Sequence, residues 1–387
     1  MRLRRSRGLT CYWHAGMFVL HPYPHGTPTT LHPAVSEILS AFEDWTTPQE
    51  AAKALDHLTP DTVADAVAAL VEAGVLLAED DPRAARDDEI ARHWSTWSPE
   101  ASFFHYTTQD VYDDLEQATS ERTEGEEHEG QVGQEGPAAV GVFTGYPDAP
   151  RVLLPRPPAD LSVPYGQVLY ARRTVRDFTD TPVPLEALAT LLAASFGPVH
   201  FIDCGLGALY LRTSPQGGAR QELDAYVGVR NVTGVAPGWY HYNGLQHSLE
   251  LLTEGLSRDE AAHLCADQEW AGAASVLVVL AARLERMSVK YPTPRCYRVS
   301  LLNAGHLGQT FALTATALGL GPAQTGAFRD SALAERCTLD NTGHTPLYVL
   351  AAGPPHPEPT EAPPTATVGT FGATRLVTPG GRRPPGG

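Results

Sequence analysis

Lysine is almost absent from this chain. Of its 28 basic side chains in 387 residues, only Lys53 and Lys290 are lysine; the rest are arginine. Basic charge of either kind is scarce against 45 carboxylates, which leaves a net charge of −17. Nucleic acid and anionic membrane surfaces both demand clustered positive charge, so neither is expected as a partner. Long hydrophobic runs are missing too, and nothing approaches the roughly twenty apolar residues of a membrane span. The opening MRLRRSRGLTCYWHAGMFVL imitates the charged start of a secretory signal, but Trp13, His14 and Gly16 interrupt its apolar part and no small-residue cleavage site follows. Cysteine is sparse: Cys11, Cys204, Cys265, Cys296 and Cys337 lie far apart, with no CxxC pair and an odd total. That excludes a disulfide frame or a zinc site and points to reduced thiols in a cytoplasm. The scattered histidines lack metal-ligand spacing, so no metal is expected. P-loop, G-x-S-x-G and HExxH motifs and the dinucleotide fingerprint are absent as well.

What is present divides along the chain. Residues 1–82 read as a small module. An apolar MFVL run, expected as a strand, precedes LHPAVSEILSAF; TTPQE then offers Thr47 as N-cap, Pro48 at the first helical position and Glu50 as the reciprocal capping-box residue. TPDTVADAVAALVEAG places Val63, Val67, Leu70 and Val71 on one helical face and ends at Gly74, and a VLL strand follows. Strand, three helices and strand is the order of a winged helix. Asp61, Asp65 and Glu72 on its last helix, with no basic residue, are wrong for a major-groove reader, which leaves a peptide-binding or a purely structural role. Residues 83–115, with WSTWSPEASFFHYTT, are too aromatic for a free linker and are expected as a packed adaptor. Residues 116–138 are acidic and poor in large apolar groups, a mobile linker; residues 357–387 are rich in Pro and Gly and expected to be mostly disordered.

Residues 139–356 mix helices and strands without regular alternation, the pattern of an α+β unit. LEALATLLAASF is a helix with Leu185, Leu188 and Leu192 buried, ELDAYVGVRNV a strand, and GWYHYNGLQHSLEL a hairpin turning at Asn243-Gly244. SVLVVLAA has the unbroken apolarity of a central strand. SLLNAGHLGQTFALTATALGLG is a long helix, with Leu302, Ala304, Leu307, Phe311, Leu313 and Leu318 around much of its circumference, and so central or at a subunit interface.

Three stretches bear on chemistry. In ARRTVRDF, Arg172, Arg173, Thr174 and Arg176 gather cations and a hydroxyl within about two helical turns, either as an anion site, most naturally for phosphate, or as a solvated basic patch. In RTSPQGGARQE, Ser214, Pro215, Gln216 and Gly217 form a loop just before a strand, where glycine allows a flat ligand close to the backbone; an ordinary turn reads the same way. In ALGLGPAQTGAF, the backbone N–H groups of Gly326 and Ala327 are placed to face a ligand. Lys290 is the remaining question. It is either a solvated cation or a position that needs an amine able to lose its proton, which arginine cannot do.

Taken in order, RRTVRDF, TSPQGGA, the YHY hairpin, RCYR, NAGHLGQT, LGLGPAQTGAF and the closing PLYVLAAG resemble the nitroreductase-like flavoproteins, and more narrowly the SagB-type peptide dehydrogenases, or azoline dehydrogenases, over about residues 145 to 356. The resemblance implies an FMN-binding fold with a central mixed sheet flanked by helices, dimeric, preceded here by the small winged-helix-like domain. It implies that Arg172, Arg173, Thr174 and Arg176 grip the phosphate and ribityl chain of FMN. Ser214, Pro215, Gln216 and Gly217, with Gly326 and Ala327, would border the isoalloxazine ring. The family often has serine at the position of Gln216 and His-Pro where this chain has Gln221-Glu222. Members that aromatise azolines carry a lysine-tyrosine pair, matched by Lys290-Tyr291, with the lysine as base and the tyrosine sharing the proton or holding the substrate.

The expected protein is thus a cytoplasmic, homodimeric, FMN-dependent oxidoreductase that converts thiazolines or oxazolines of a ribosomally made precursor peptide to azoles. A cyclodehydratase is among its expected partners, and the N-terminal module resembles a leader-peptide recognition element. Two alternatives stay open: an NAD(P)H-dependent flavin reductase acting on dehydroamino acids or small electron-poor molecules, and a non-catalytic scaffold that recruits the peptide.

Overall fold

A computed structural model describes residues 1–109, 141–156, 159–203, 208–288, 291 and 293–357. The expected mobile linker at 116–138 and all but the first residue of the tail at 357–387 lie outside the described residues. The chain divides into two compact units, Met1–Glu135 with Met287–Val299, and Gly136–Arg286 with Ser300–Gly387.

In the first unit, β1 (Leu3–Arg5) opens the chain, β2 (Leu9–His14) and β3 (Met17–Pro22) form a hairpin, and β4 (Thr29–Thr30) adds to β3. The hairpin turns at Ala15-Gly16, both with positive φ, the conformation a tight two-residue turn demands. Three helices follow: α1 (Val35–Ser40), α2 (Pro48–Ala54) and α3 (Pro60–Glu72). The capping box on α2 forms as expected, with Thr47 accepting from the Glu50 backbone and Glu50 accepting from that of Thr47. Thr59 caps α3, and Gly74 follows it in the left-handed region. Val63, Val67 and Leu70 are buried with Leu3, Leu20 and Phe42, whereas Val71 is only half-buried.

After β5 (Leu76–Ala78), the strand paired with β5 is β1, not the MFVL run, which belongs to the separate β2–β3–β4 sheet. The arginine-rich start is therefore strand. Beyond it lie α4 (Pro82–His93) and α5 (Pro99–Thr107). The aromatic stretch packs by rings: Phe103 stands edge-on to His21 at 5.1 Å and to Tyr23 at 5.5 Å.

The second unit is built on β6 (Arg151–Leu153), α6 (Tyr165–Ala171), α7 (Leu185–Phe196), β7 (His200–Asp203), β8 (Ala208–Leu211), β9 (Leu223–Val229), β10 (Gly238–Asn243), β11 (Ser248–Glu254), α8 (Arg258–Leu264) and α9 (Glu269–Ala273). It continues through β12 (Val276–Arg283), α10 (Leu284–Ser288), α11 (Arg295–Ala317), β13 (Gly321–Thr325), α12 (Asp330–Arg336) and β14 (His344–Gly353), although the end of α10 from Met287 and the start of α11 up to Val299 belong to the first unit. Seven strands form one sheet in the order β13-β14-β12-β9-β10-β11-β6.

Every pairing in that sheet is antiparallel, so the expected mixed sheet is corrected. Short connections join β9, β10 and β11 in succession, a route open only to antiparallel neighbours. β12 is central and buried on both faces, as its apolarity requires. Val278 and Leu280 pack with Leu307 and Phe311 of α11 and Leu188 and Leu192 of α7, while Leu277 and Val279 pack with Leu264 of α8 and Leu333 of α12.

Two local expectations change. The β10–β11 connection is a four-residue loop, with Asn243 paired to Ser248, because Asn243 Oδ1 is occupied by the Gln246 N–H and the left-handed residue is His247. The arginine-rich stretch is not helical: α6 ends at Ala171, Arg172 is extended, and Val175 donates to Pro322 O at 2.8 Å, drawing the segment along β13.

Candidate functional site

The loop between β8 and β9 is where polar groups converge. Gly218, Ala219 and Gln221 all have positive φ, which only the glycine adopts without strain, so the surroundings must hold the loop in shape. The hold comes from one face of α11. Ser214 Oγ meets Thr310 Oγ1, His306 Nδ1 donates to Pro215 O at 3.2 Å, and Asn303 Oδ1 accepts from Gly217 N at 3.2 Å. Residues 303, 306 and 310 are spaced three and four apart, which puts them on one stripe of the helix. A carbonyl only accepts, so His306 carries its proton on Nδ1 when neutral.

Behind the loop, Asn303 Nδ2 donates to Glu222 Oε1 at 2.8 Å. Glu222 is fully buried, and its Oε2 has no hydrogen-bond partner among the described residues. The same is true of both Nε2 and Oε1 of Gln216, buried atoms at the loop tip. Each such atom left unpaired costs about 1–3 kcal/mol, so a cluster of them marks a place built to meet water or a ligand.

The turn after β13 is fixed from the other side of α11. Gln324 Nε2 donates to Gly308 O while Tyr348 OH donates to Gln324 Oε1 at 3.0 Å. The N–H of Ala327 does not face outward as expected: Thr325 Oγ1 takes it at 2.9 Å, and Gln268 Nε2 holds Ala327 O at 2.9 Å. Gly326 is exposed. Among the expected phosphate ligands, Arg172 is half-buried, while Arg173, Thr174 and Arg176 are exposed. Arg173 Nη1 donates to the carbonyls of Tyr170 and Arg172. Arg176 lines a hollow of about 740 Å³ with Arg258, Asp259, Glu269 and Trp270, a lining of mixed charge.

Lys290 lies outside the described residues, and Tyr291, half-buried, donates its N–H to Met287 O at 2.9 Å. The structure therefore pins Ser214, Pro215 and Gly217 on α11 and ties the arginine-rich segment to β13 through the Val175 backbone.

A second polar cluster sits beneath the same loop. Arg286 is buried and donates to Asp224 Oδ1 at 2.9 Å, Gln221 O at 3.0 Å, Gly141 O at 2.9 Å and Thr144 Oγ1 at 2.9 Å. Burial alone would raise the Asp224 carboxyl, but the Arg286 guanidinium, with His241 and His344, holds it below the ordinary carboxylate value. Burial pushes the His344 imidazole down to about 4.

Against known proteins, residues 169–353 match the model of the Nitroreductase family. A protein of Methanocaldococcus jannaschii, provisionally described as a nitroreductase, is 33% identical over 186 residues, 48% of this chain and 88% of that protein. The chain belongs to the nitroreductase family. The Trifolitoxin-processing protein TfxB of Rhizobium leguminosarum bv. trifolii is 28% identical over 161 residues, 40% of this chain but only 43% of that protein. A crystal structure from Anabaena variabilis, also provisionally described as a nitroreductase, aligns with a TM-score of 0.48 at 24% identity, covering 58% of this chain and 45% of that one.

Nitroreductase membership makes the chain's class that of an oxidoreductase, in a family that generally binds flavin. The residues present fit a flavin: the loop offers a buried amide at Gln216 that is unpaired among the described residues, and Arg173, Thr174 and Arg176 of RRTVR are exposed cation and hydroxyl donors. Residue order alone does not single out Asn303 or Thr310, marks Glu222 only as a departure from the family's His-Pro pair, and reads His306 as structural. The stripe of polar residues at 303, 306 and 310 within the mostly apolar stretch from Leu301 to Leu313 is the signal that marks them. Among the described residues no helix is long and apolar enough to cross a membrane.

Proposed function

We propose that this nitroreductase-family chain is a cytoplasmic FMN-dependent dehydrogenase of the SagB type that oxidises thiazolines or oxazolines of a ribosomally made peptide to azoles. The observation that carries the reading is the joining, in one chain, of a nitroreductase domain to the Lys290-Tyr291 pair. Similarity to a relative named for trifolitoxin processing supports it. Arg172, Arg173, Thr174 and Arg176 would hold the phosphate and ribityl chain, and Ser214, Pro215, Gln216 and Gly217, with Gly326 and Ala327, would border the ring. Bound FMN supplies the hydride acceptor. Lys290, as free base, removes the carbon-bound proton, and Tyr291 shares that proton or holds the substrate.

Two further parts of the proposal rest on surfaces. The first unit would recruit the peptide, with a cyclodehydratase as the enzyme that supplies the azoline. β2 is an edge strand, able to accept an extended peptide, and a groove of about 450 Å³ beside it is lined by Arg5, Arg7, Leu9, Leu39 and Glu43. The homodimer would form on the outer face of α11, where Leu301 and Leu302 are 43% and 58% exposed.

The test is a visible spectrum of the purified protein followed by mass analysis of an azoline peptide. A yellow protein and a loss of about 2 Da per ring support the proposal. A flavin bleached by NADPH without peptide, under anaerobic conditions, favours reduction of small electron-poor molecules, the direction the nitroreductase relatives' names suggest. A colourless protein that takes up no FMN favours a scaffold.

A further inference from the structure

We infer that the side-chain amide of Gln216 pairs with the imide edge of the flavin, its N–H donating to a ring carbonyl and its Oε1 accepting the ring N3–H. The inference rests on the flavin reading of the 214–217 loop and goes beyond it by assigning one specific edge of the ring to one side chain.

Three observations lead there. The loop around Gln216 is pinned at every neighbouring position, at Ser214 by Thr310, at Pro215 by His306 and at Gly217 by Asn303. The unpaired state of Gln216 is therefore not the slack of a loose loop. Both ends of its amide, donor and acceptor, lack a partner among the described residues while buried. A group that satisfies both ends at once must itself present an acceptor and a donor side by side. The imide edge of an isoalloxazine is such a group, with an N–H flanked by two carbonyls.

Access follows from the loop's shape. Gln216 is only half-buried as a residue and lies between exposed Pro215 and half-buried Gly217. Rotation about its side-chain torsions brings the amide to the surface while the pinned backbone stays in place. The amide gives up no hydrogen bond when it turns outward and gains two on meeting the ring. A single hydroxyl, as in serine, could not make this paired contact.

The experiment compares FMN with 3-methyl-FMN, in which the N3–H is replaced by methyl, by fluorescence titration of the full-length protein and of Gln216→Leu. The unaltered protein should bind FMN about tenfold or more tighter than the methylated analogue, because one hydrogen bond is lost and a buried acceptor is stranded. Gln216→Leu should weaken FMN binding by a similar factor and bind the two flavins alike. The comparison on the unaltered protein needs no variant, so a misfolded Gln216→Leu does not blunt it. Equal affinities for the two flavins in the unaltered protein, or an undiminished FMN affinity in folded Gln216→Leu, overturn the inference and leave the amide to a buried water. No FMN binding at all removes the flavin reading and this inference with it, whereas equal affinities remove this inference alone.

Discussion

Asn303 is the only hydrogen-bond partner of the Glu222 carboxyl among the described residues, at 2.8 Å, and with its other end it holds the Gly217 N–H at 3.2 Å. One amide on α11 thus ties a buried acid to the bend of the candidate flavin loop.

Asn303→Ala should therefore act twice. It leaves Glu222 buried with neither oxygen paired and frees Gly217, at a cost of about 1–3 kcal/mol. The urea midpoint should fall, and FMN affinity should weaken in the fraction that remains folded. An unchanged midpoint would mean that Glu222 finds another partner.

Gly308 sits where α11 meets β13 and β14. A Cβ there would stand 2.8 Å from the Tyr348 ring and 3.3 Å from Gln324 Nε2. Alanine gains about 1 kcal/mol of helix propensity over glycine, but overpacking of this kind costs about 1–3 kcal/mol. Gly308→Ala should lower the melting temperature, whereas Gly305→Ala, with nothing within 4 Å of its Cβ position, should raise it slightly. Scanning calorimetry of the pair checks the opposite signs.

Acid should destabilise the second unit. His344 is held neutral down to about 4 by burial, reinforced by Arg283 and Arg286 against the pull of Asp224 and Asp340. An unfolded imidazole takes its proton near 6.5. As pH falls from 6.5 to about 4, the unfolded chain gains a proton that the native protein refuses, and stability is lost by at most about 3 kcal/mol. Asp224, held below its ordinary value, adds a loss of the same sign at lower pH. Urea midpoints between pH 7 and 4 should drop, with a shallower drop in His344→Gln. A flat profile for the unaltered protein would show that His344 titrates normally.

Lys290→Arg should leave FMN bound and the spectrum intact yet abolish turnover of an azoline peptide, because a guanidinium cannot serve as the free base. Activity equal to that of the unaltered protein removes Lys290 from the mechanism.

Much of the architecture was legible from residue order. The Thr47/Glu50 capping box, the Thr59 cap and the Gly74 stop are local chemistry, decided by side chains three residues or fewer from the backbone they bind. β12 and α11 declared themselves by apolarity at the right period, and several motifs in succession carried the family. The β1–β5 pairing was not legible, because it joins residues more than seventy positions apart and the intervening MFVL run looked equally suited to the role. Nor was the end of α6 before the arginines, which is decided by Val175 bonding to Pro322 across the fold.

The sequence by itself determined the family, the helical caps, the central strand and the loop that carries the candidate site, because each depends on neighbouring residues or on a periodic pattern. Only the tertiary structure decided that Glu222 is buried under that loop, that Asn303, His306 and Thr310 pin it, and that the Gln216 amide has neither end paired among the described residues. Those are relations between residues some ninety positions apart, and burial and hydrogen bonding across such distances arise only when the chain has folded.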